Sequence, residues 1–395
     1  MKSYRTLASI REKENIAMSK SDIGTGQVVR ERSRKLARSH GTAPLRSNNA
    51  CLTLVGVTYR DLDASLDAVE DGKRSGDVGI EFGGFAMNAA RAAVQSLPDG
   101  SVRLVTLVPW AEYPAVSRAM PAGAVLDPIL LDDAPSGRLP DSLVLSDPSR
   151  DLRAILKGRH DLHSLLSLER ITEGALGAAI IAVGRVPAAF ARALLEQCQR
   201  RDSRFAWCGG AALPAELESE CPILLVDRDE AIEMLEWDHP EAGTRELAVA
   251  LARRARVSGA IRVVTGGGTR PTAVVRDAGG SYECLEADPV TIADPRHPKG
   301  AGDSFAARFL AVAFADRSGS SRRQPALGEA LQHARFAAAE FVASGFHRPA
   351  EAIEAAIAAR PEYGEEGVYA LRRRTVSKRP SRFSNAIARH WPPVP

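Results

Sequence analysis

The sequence predicts an α/β fold, with a mostly parallel central sheet and helices on both faces. Three observations carry that expectation. Short, largely apolar runs recur along the chain, and most close on Gly, Asp or Pro. Segments with helical spacing of apolar residues lie between many of them. Beyond Gly300 the pattern is almost wholly helical through Ala359. Alternating strands and helices favour parallel pairing through crossover connections, and ligands of such sheets bind outside the carboxyl ends of the strands.

The strand runs, in order, are "CLTLVGVT" (51–58), "RLVTLVPW" (103–110), "SLVLSD" (142–147), "AAIIAVG" (178–184), "RFAWCGG" (204–210), "PILLVDR" (222–228) and "AIRVVTGGG" (260–268). The helical stretches are "GGFAMNAARAAVQSL", "PAAFARALLEQCQRR", "RDEAIEMLEWD" and "AGTRELAVALARRARV". Between Leu62 and Gly83, "DLDASLDAV" and "DVGIEF" alternate polar and apolar side chains around a turn-like "EDGKRSG". That pattern predicts a small hairpin standing off the main sheet and covering a site, with lid elements at roughly 60–82.

Composition sets the outer limits. The chain has 395 residues, of which 45% are hydrophobic and 26% charged, enough for a sizeable core. The longest apolar stretch, around residues 174–195, is interrupted by Arg185 and Pro187, so no membrane partner is expected. Five scattered cysteines with no C-x-x-C pair fit a reduced, cytoplasmic protein without a zinc site.

Charge divides the chain into three. Residues 1–49 are expected to form a basic, disordered N-terminal extension: the first fifty residues hold eleven Lys/Arg against four Asp/Glu. Residues 361–395 form a basic tail with seven against three. With +3 overall, the body at 50–360 is left with −8. The tails could meet nucleic acid, but solvated disorder is the preferred reading. Acidic residues at 12, 14, 22 and 31 argue against a transit peptide, and Met18 offers an alternative start.

The chemistry concentrates in "HPKGAGDSF" (297–305). A helix start presents unpaired backbone N–H groups with partial positive charge, and glycines let a ligand approach them closely. Asp303 could simply cap that helix. An N-cap, however, needs no Gly-Ala-Gly before it. A phosphoryl transfer needs both parts: amides for developing charge and a carboxylate for the proton of the attacking hydroxyl. No G-x-x-x-x-G-K-[ST], G-x-G-x-x-G after a strand, H-E-x-x-H or G-x-S-x-G is present, and the eight histidines show no metal-ligand spacing.

"GAGDSF" resembles the second signature of the PfkB, or ribokinase-like, carbohydrate kinases. "GGFAMNAARAA" (83–93) resembles their first signature through Gly83, Gly84 and Asn88. "VGVTYRDLD" (55–63) is similar to their first strand, with Gly56 and Asp61, and "VVTGGG" (263–268) to their nucleotide strand. Order and spacing agree over residues 50–357.

The resemblance implies a ribokinase-like three-layer sandwich with a small β lid, ATP and magnesium as cofactors, and transfer of the γ-phosphate to a hydroxyl of a small sugar-like substrate. It implies Asp303 as catalytic base, with Gly300, Ala301 and Gly302 as the anion hole. Asp61, Gly83, Gly84 and Asn88 would hold the substrate. Thr265, Gly266 and Gly268 would lie beside the nucleotide. Lys299, which the family does not have there, could add fixed positive charge beside the anion hole or face solvent. Glu230 would act on magnesium through water. A homodimer through the lid is a further implication.

Three departures stand out. His297, Pro298 and Lys299 replace the D-T-x before GAGD, which puts a monovalent-cation site in question. The N-x-x-E motif appears as "DRDE", where Asp227 could be only a helix cap. Pro109, Trp110 and Ala111 replace a Gly-Asp-Asp. A nucleoside or phosphosugar kinase of the same fold is one alternative. A regulatory or binding protein on that fold is another, since fold does not fix function. Arg91 would suit a phosphosugar, but its place between the pairs Ala89–Ala90 and Ala92–Ala93 leads us to expect it to point away from the site, and so to favour a neutral sugar.

Overall fold

The computed structural model describes residues 51–70, 73–132, 137–147, 152–157, 162–209, 213–293, 295, 297, 299–314, 326–360 and 372–378. The N-terminal extension and the end of the basic tail lie outside these residues.

Among them, ten strands form the main sheet. Chain order runs β1 (Leu52–Val57), β4 (Val102–Pro109), β5 (Ala124–Leu131), β8 (Ile180–Val183), β9 (Arg204–Cys208), β10 (Ile223–Asp227), β11 (Ile261–Thr265), β12 (Thr272–Asp277), β13 (Ser281–Ala287) and β14 (Arg372–Ser377). Their order across the sheet is β14-β13-β12-β11-β10-β9-β8-β1-β4-β5. From β5 to β11 all neighbours are parallel; β12, β13 and β14 continue the sheet antiparallel. The four strands beyond β4 that no sequence run announced are β5 and this antiparallel edge. Charged residues or proline interrupt or end their apolar runs, Asp127 and Pro128 in β5, Arg276 and Asp277 in β12, Glu283 and Glu286 in β13, so they lack the continuous apolar signal of the other strands.

The helices are α1 (Phe85–Ala93), α2 (Tyr113–Ala119), α3 (Glu173–Leu176), α4 (Ala188–Arg200), α5 (Ala215–Glu220), α6 (Arg228–Leu235), α7 (Thr244–Arg254), α8 (Ala301–Phe314), α9 (Leu327–Ser344) and α10 (Ala350–Ala358). Side-chain alternation along β1 explains the layering. Val55 and Val57 join a core with Phe190 and Leu194 of α4, Met234 of α6 and Leu247 of α7. Leu52 and Leu54 join the opposite core with Met87 of α1, Phe309 of α8 and Leu331 of α9. Two apolar layers on one sheet give the expected three-layer sandwich.

The expected hairpin is present as β2 (Tyr59–Glu70) and β3 (Lys73–Gly83). It is larger than expected. The run at 142–147, read as a main-sheet strand, is β6 (Asp141–Asp147), which pairs parallel with β2 and antiparallel with β7 (Leu152–Lys157). This corrects the sequence reading: a short apolar run fixes strand character but not which sheet receives it. The tail also differs from expectation in part, since β14 lies beyond residue 360 and pairs with β13 from Ser281↔Ser377 to Glu286↔Arg372. Arg372 bonds Asp288 at 2.6 Å and Lys378 bonds Asp277 at 2.7 Å, so part of the tail's basic charge answers acids of the sheet.

Candidate active site

The parallel strands end on one edge, and two helices begin there beside the hairpin. α1 follows β3 through Gly83 and Gly84. Gly84 has φ +91°, and a Cβ there would stand 2.5 Å from the Val57 carbonyl oxygen. At Gly83 a Cβ would overlap the Asp61 carboxylate. The glycine pair therefore lets Asp61, on β2, lie directly against the chain entering α1. Its side chain is only 7% exposed.

Asn88 lies one turn into α1, and Gly84 occupies the N-cap position with no side-chain cap bond. Asn88 therefore does not cap the helix. Its Nδ2 instead donates to Asp303 Oδ2 at 2.9 Å across the site. Asp303 in turn lies inside the first turn of α8. Gly300 enters that turn at φ +83°, where a Cβ would come within 3.3 Å of Asn88 Nδ2, and its carbonyl accepts from the Ser304 amide at 2.8 Å. A Cβ on Gly302 would meet nothing within 4 Å, so the approach to the helix start is open there.

Burial pushes the Asp303 carboxyl up to about 6. Asp61 and Glu230 push the same way, while the Asn88 hydrogen bond and the Lys299 ammonium oppose them.

Lys299 Nζ pairs with Asp61 Oδ2 at 2.9 Å. Arg91 departs from expectation. Rather than pointing away, its guanidinium donates to Asn88 Oδ1 at 3.4 Å. Burial lowers its pKa, opposed by the charges of Glu81 and Asp61. The alanines of α1 are all buried, and the two acids whose charges act on Arg91 both lie on the hairpin. Helical spacing puts Arg91 three residues from Asn88, on one face of the helix; that signal was legible.

Asp227 and Thr265 are register partners at the ends of β10 and β11. Asp227 accepts from the Glu230 amide at 2.8 Å, and the Glu230 carboxylate accepts from the Asp227 amide at 2.9 Å, a reciprocal capping box at the start of α6. The cap reading of Asp227 is correct. Glu230 is near enough to Asp303 for its charge to raise that carboxyl, and Gly209, at φ +68°, would bring a Cβ to 2.8 Å from its Oε2. Gly266 has a local reason of its own, since a Cβ there would strike the Arg270 and Pro271 carbonyls in the tight turn to β12. Gly268 is open on all sides.

Two neighbours carried no sequence signal. His347 stacks on Phe341, with ring centroids 4.5 Å apart, and its Nδ1 lies 3.3 Å from Ser304 Oγ. Burial, with Arg308 and Arg91 adding to it, holds this imidazole down at about 4. The Cys208 thiol at the end of β9 is raised well above its usual range by burial, with Cys221, Asp303 and Glu230 nearby. It is one of five cysteines, all free thiols. Among the described residues, no group of three or more His, Cys, Asp and Glu is placed to hold a metal, and no helix is long and apolar enough to cross a membrane.

No protein-family model matches the sequence, and no curated protein matches it. Solved structures do. A ribokinase from Giardia lamblia superposes with a TM-score of 0.64 at 18% identity, covering 78% of this chain and 99% of that one. A ribokinase from Arabidopsis thaliana, complexed with ribose and ATP, gives 0.59 at 15% identity over 78% and 98%. A phosphofructokinase-2 variant from Escherichia coli gives 0.58 at 14% identity over 78% and 98%. The chain has the ribokinase-like fold of the PfkB carbohydrate kinases.

Proposed function

We propose that this chain is an ATP-dependent phosphotransferase that moves the γ-phosphate to a hydroxyl of a small sugar-like molecule. The observation that supports it most is Asp303: a carboxylate with its pKa raised to about 6, oriented by Asn88, at a glycine-lined helix start. A base so tuned is ionised at neutral pH yet basic enough to accept a proton. Asp303 takes the proton of the acceptor hydroxyl as that oxygen bonds the γ-phosphorus and the bond to the bridging oxygen of ADP breaks. The amides around Gly300, Ala301 and Gly302 hold the charge on the transferring group.

Asp61 and Asn88 hold the acceptor against the Gly83–Gly84 backbone. Thr265, Gly266 and Gly268 border the nucleotide, and the open positions at Gly268 and Gly302 leave room for it. Magnesium prefers phosphate oxygens and water with one or two carboxylates, and an anionic corner shared by Glu230 and Asp303 suits such an ion. Glu230 would hold it through water, and the ion would neutralise charge on the phosphates. We place the reaction in the cytoplasm, where ATP is supplied. The neighbour complexed with ribose and ATP lends the reading its plausibility at the level of fold.

A second reading of the acceptor has a specific observation in its favour. Arg91 turned toward Asn88 and Lys299 held on Asp61 give the acceptor side two cations, which suits a phosphorylated or carboxylated sugar better than a neutral one. ADP production measured against a panel of sugars, sugar phosphates, sugar acids and nucleosides tests both. Turnover with any member supports phosphotransfer. No ADP above the acceptor-free rate with the whole panel would reject the reading.

A further inference from the structure

Asp61 and Lys299 hold each other although each is needed elsewhere. Asp61 is almost wholly buried at the root of the hairpin, packed on Gly83. Lys299 is the residue immediately before the anion hole, and its charge is felt at Asp303. A carboxylate engaged by an ammonium at 2.9 Å is a poorer acceptor for a substrate hydroxyl, and an ammonium so engaged is a poorer ligand for phosphate. Pulling the two apart without replacement would take an ion pair from a nearly buried carboxylate, which is costly. A triphosphate tail and a hydroxyl acceptor supply both replacements together. The γ-phosphate offers the lysine a more highly charged partner, and the hydroxyl offers the carboxylate a proton.

We infer that Lys299 is a partner-exchanging residue: it neutralises Asp61 until a nucleoside triphosphate binds and then transfers to the γ-phosphate, releasing Asp61 for the acceptor. The inference rests on the nucleotide reading above. Its consequence is coupling. The γ-phosphate prepares the acceptor site, so triphosphate and acceptor bind more tightly together than apart, and ADP does not produce the effect. By linkage, anything that frees Lys299 from Asp61 strengthens triphosphate binding, and coupling of this kind is typically about fivefold to a hundredfold.

The test compares Mg·ADP with the non-hydrolysable Mg·AMP-PNP by calorimetry, on the full chain and with no acceptor present. Asp61→Asn should tighten AMP-PNP about fivefold or more and change ADP less than about twofold. In a Lys299→Met background the same Asp61→Asn change should leave the ratio of the two affinities where it was. A similar gain with and without Lys299 would mean only that a negative charge had been removed, and would overturn the exchange. So would a parent-like ratio in Asp61→Asn alone. ADP binding also reports the fold of each variant. If Asp61→Asn loses it, Lys299→Met decides: AMP-PNP alone should weaken about fivefold or more, and an unchanged ratio overturns the inference. Failure of the parent chain to bind either nucleotide would reject the nucleotide reading itself, and this inference with it.

Discussion

Asn88 and Asp303, 215 residues apart in sequence, meet through a 2.9 Å hydrogen bond from the amide nitrogen to the carboxylate. The bond joins the first turns of two helices, α1 and α8, that pack on the same face of the sheet. It makes the orientation of the proposed base depend on the proposed acceptor-binding residue. Asp303→Asn should therefore lower kcat roughly a hundredfold to ten-thousandfold. ADP affinity, measured by calorimetry, should stay within about twofold. Near-normal turnover in the variant would remove Asp303 from the mechanism.

The raised pKa of Asp303 sets a pH limb. Below about 6 the carboxyl is protonated and cannot accept the hydroxyl proton, so kcat/KM should fall about tenfold per pH unit there. Above it the rate should level off. Stability runs the opposite way. The folded chain binds this proton more tightly than the unfolded chain does, so the group's contribution is largest at low pH and is lost as pH rises through about 6. At pH 8, Asp303→Asn should then melt at or slightly above the parent, by roughly 1–3 °C. A clear drop in Tm would mean that the carboxylate is structurally required.

Arg91 separates acceptor classes. If its guanidinium meets an anionic group, Arg91→Ala should cost a phosphorylated or carboxylated acceptor about tenfold or more in kcat/KM. A neutral sugar should respond less than about twofold. Equal loss for both classes would assign Arg91 to holding Asn88, in keeping with its 3.4 Å hydrogen bond.

Gly83→Ala places a methyl group on the Asp61 carboxylate. Overpacking of this kind costs about 1–3 kcal/mol, or displaces the smaller partner. The acceptor KM should rise about tenfold while ADP affinity is retained. An unchanged acceptor KM would show that Asp61 does not touch the acceptor.

Removal of residues 361–395 deletes β14 and its ladder with β13, together with the ion pairs of Arg372 and Lys378. The remaining chain should still melt cooperatively, because both apolar cores lie in the body. Its Tm should fall by several degrees. An unchanged Tm would show that the edge strand adds nothing to stability.

The sequence by itself determined the parts that depend on local pattern. Apolar runs closed by turn residues located the parallel strands other than β5, and helical spacing located α1, α4, α6 and α7. "GGFAMN" and "GAGDSF" marked where two helices start, because a backbone at φ +91° or +83° selects glycine whatever surrounds it. Side-chain choices at a distance were decided only by the tertiary structure. Nothing near residue 142 says that its strand joins the hairpin, and the antiparallel edge β12–β14 lacks the apolar signature of covered strands. The partner of Lys299 was likewise out of reach of the sequence. A long cationic side chain goes to the best-placed charge or carbonyl within its radius, and that set is fixed by how β2, α1 and α8 pack together. For Lys299 the choice was the buried Asp61 rather than open solvent, because folding had already placed that carboxylate 2.9 Å away.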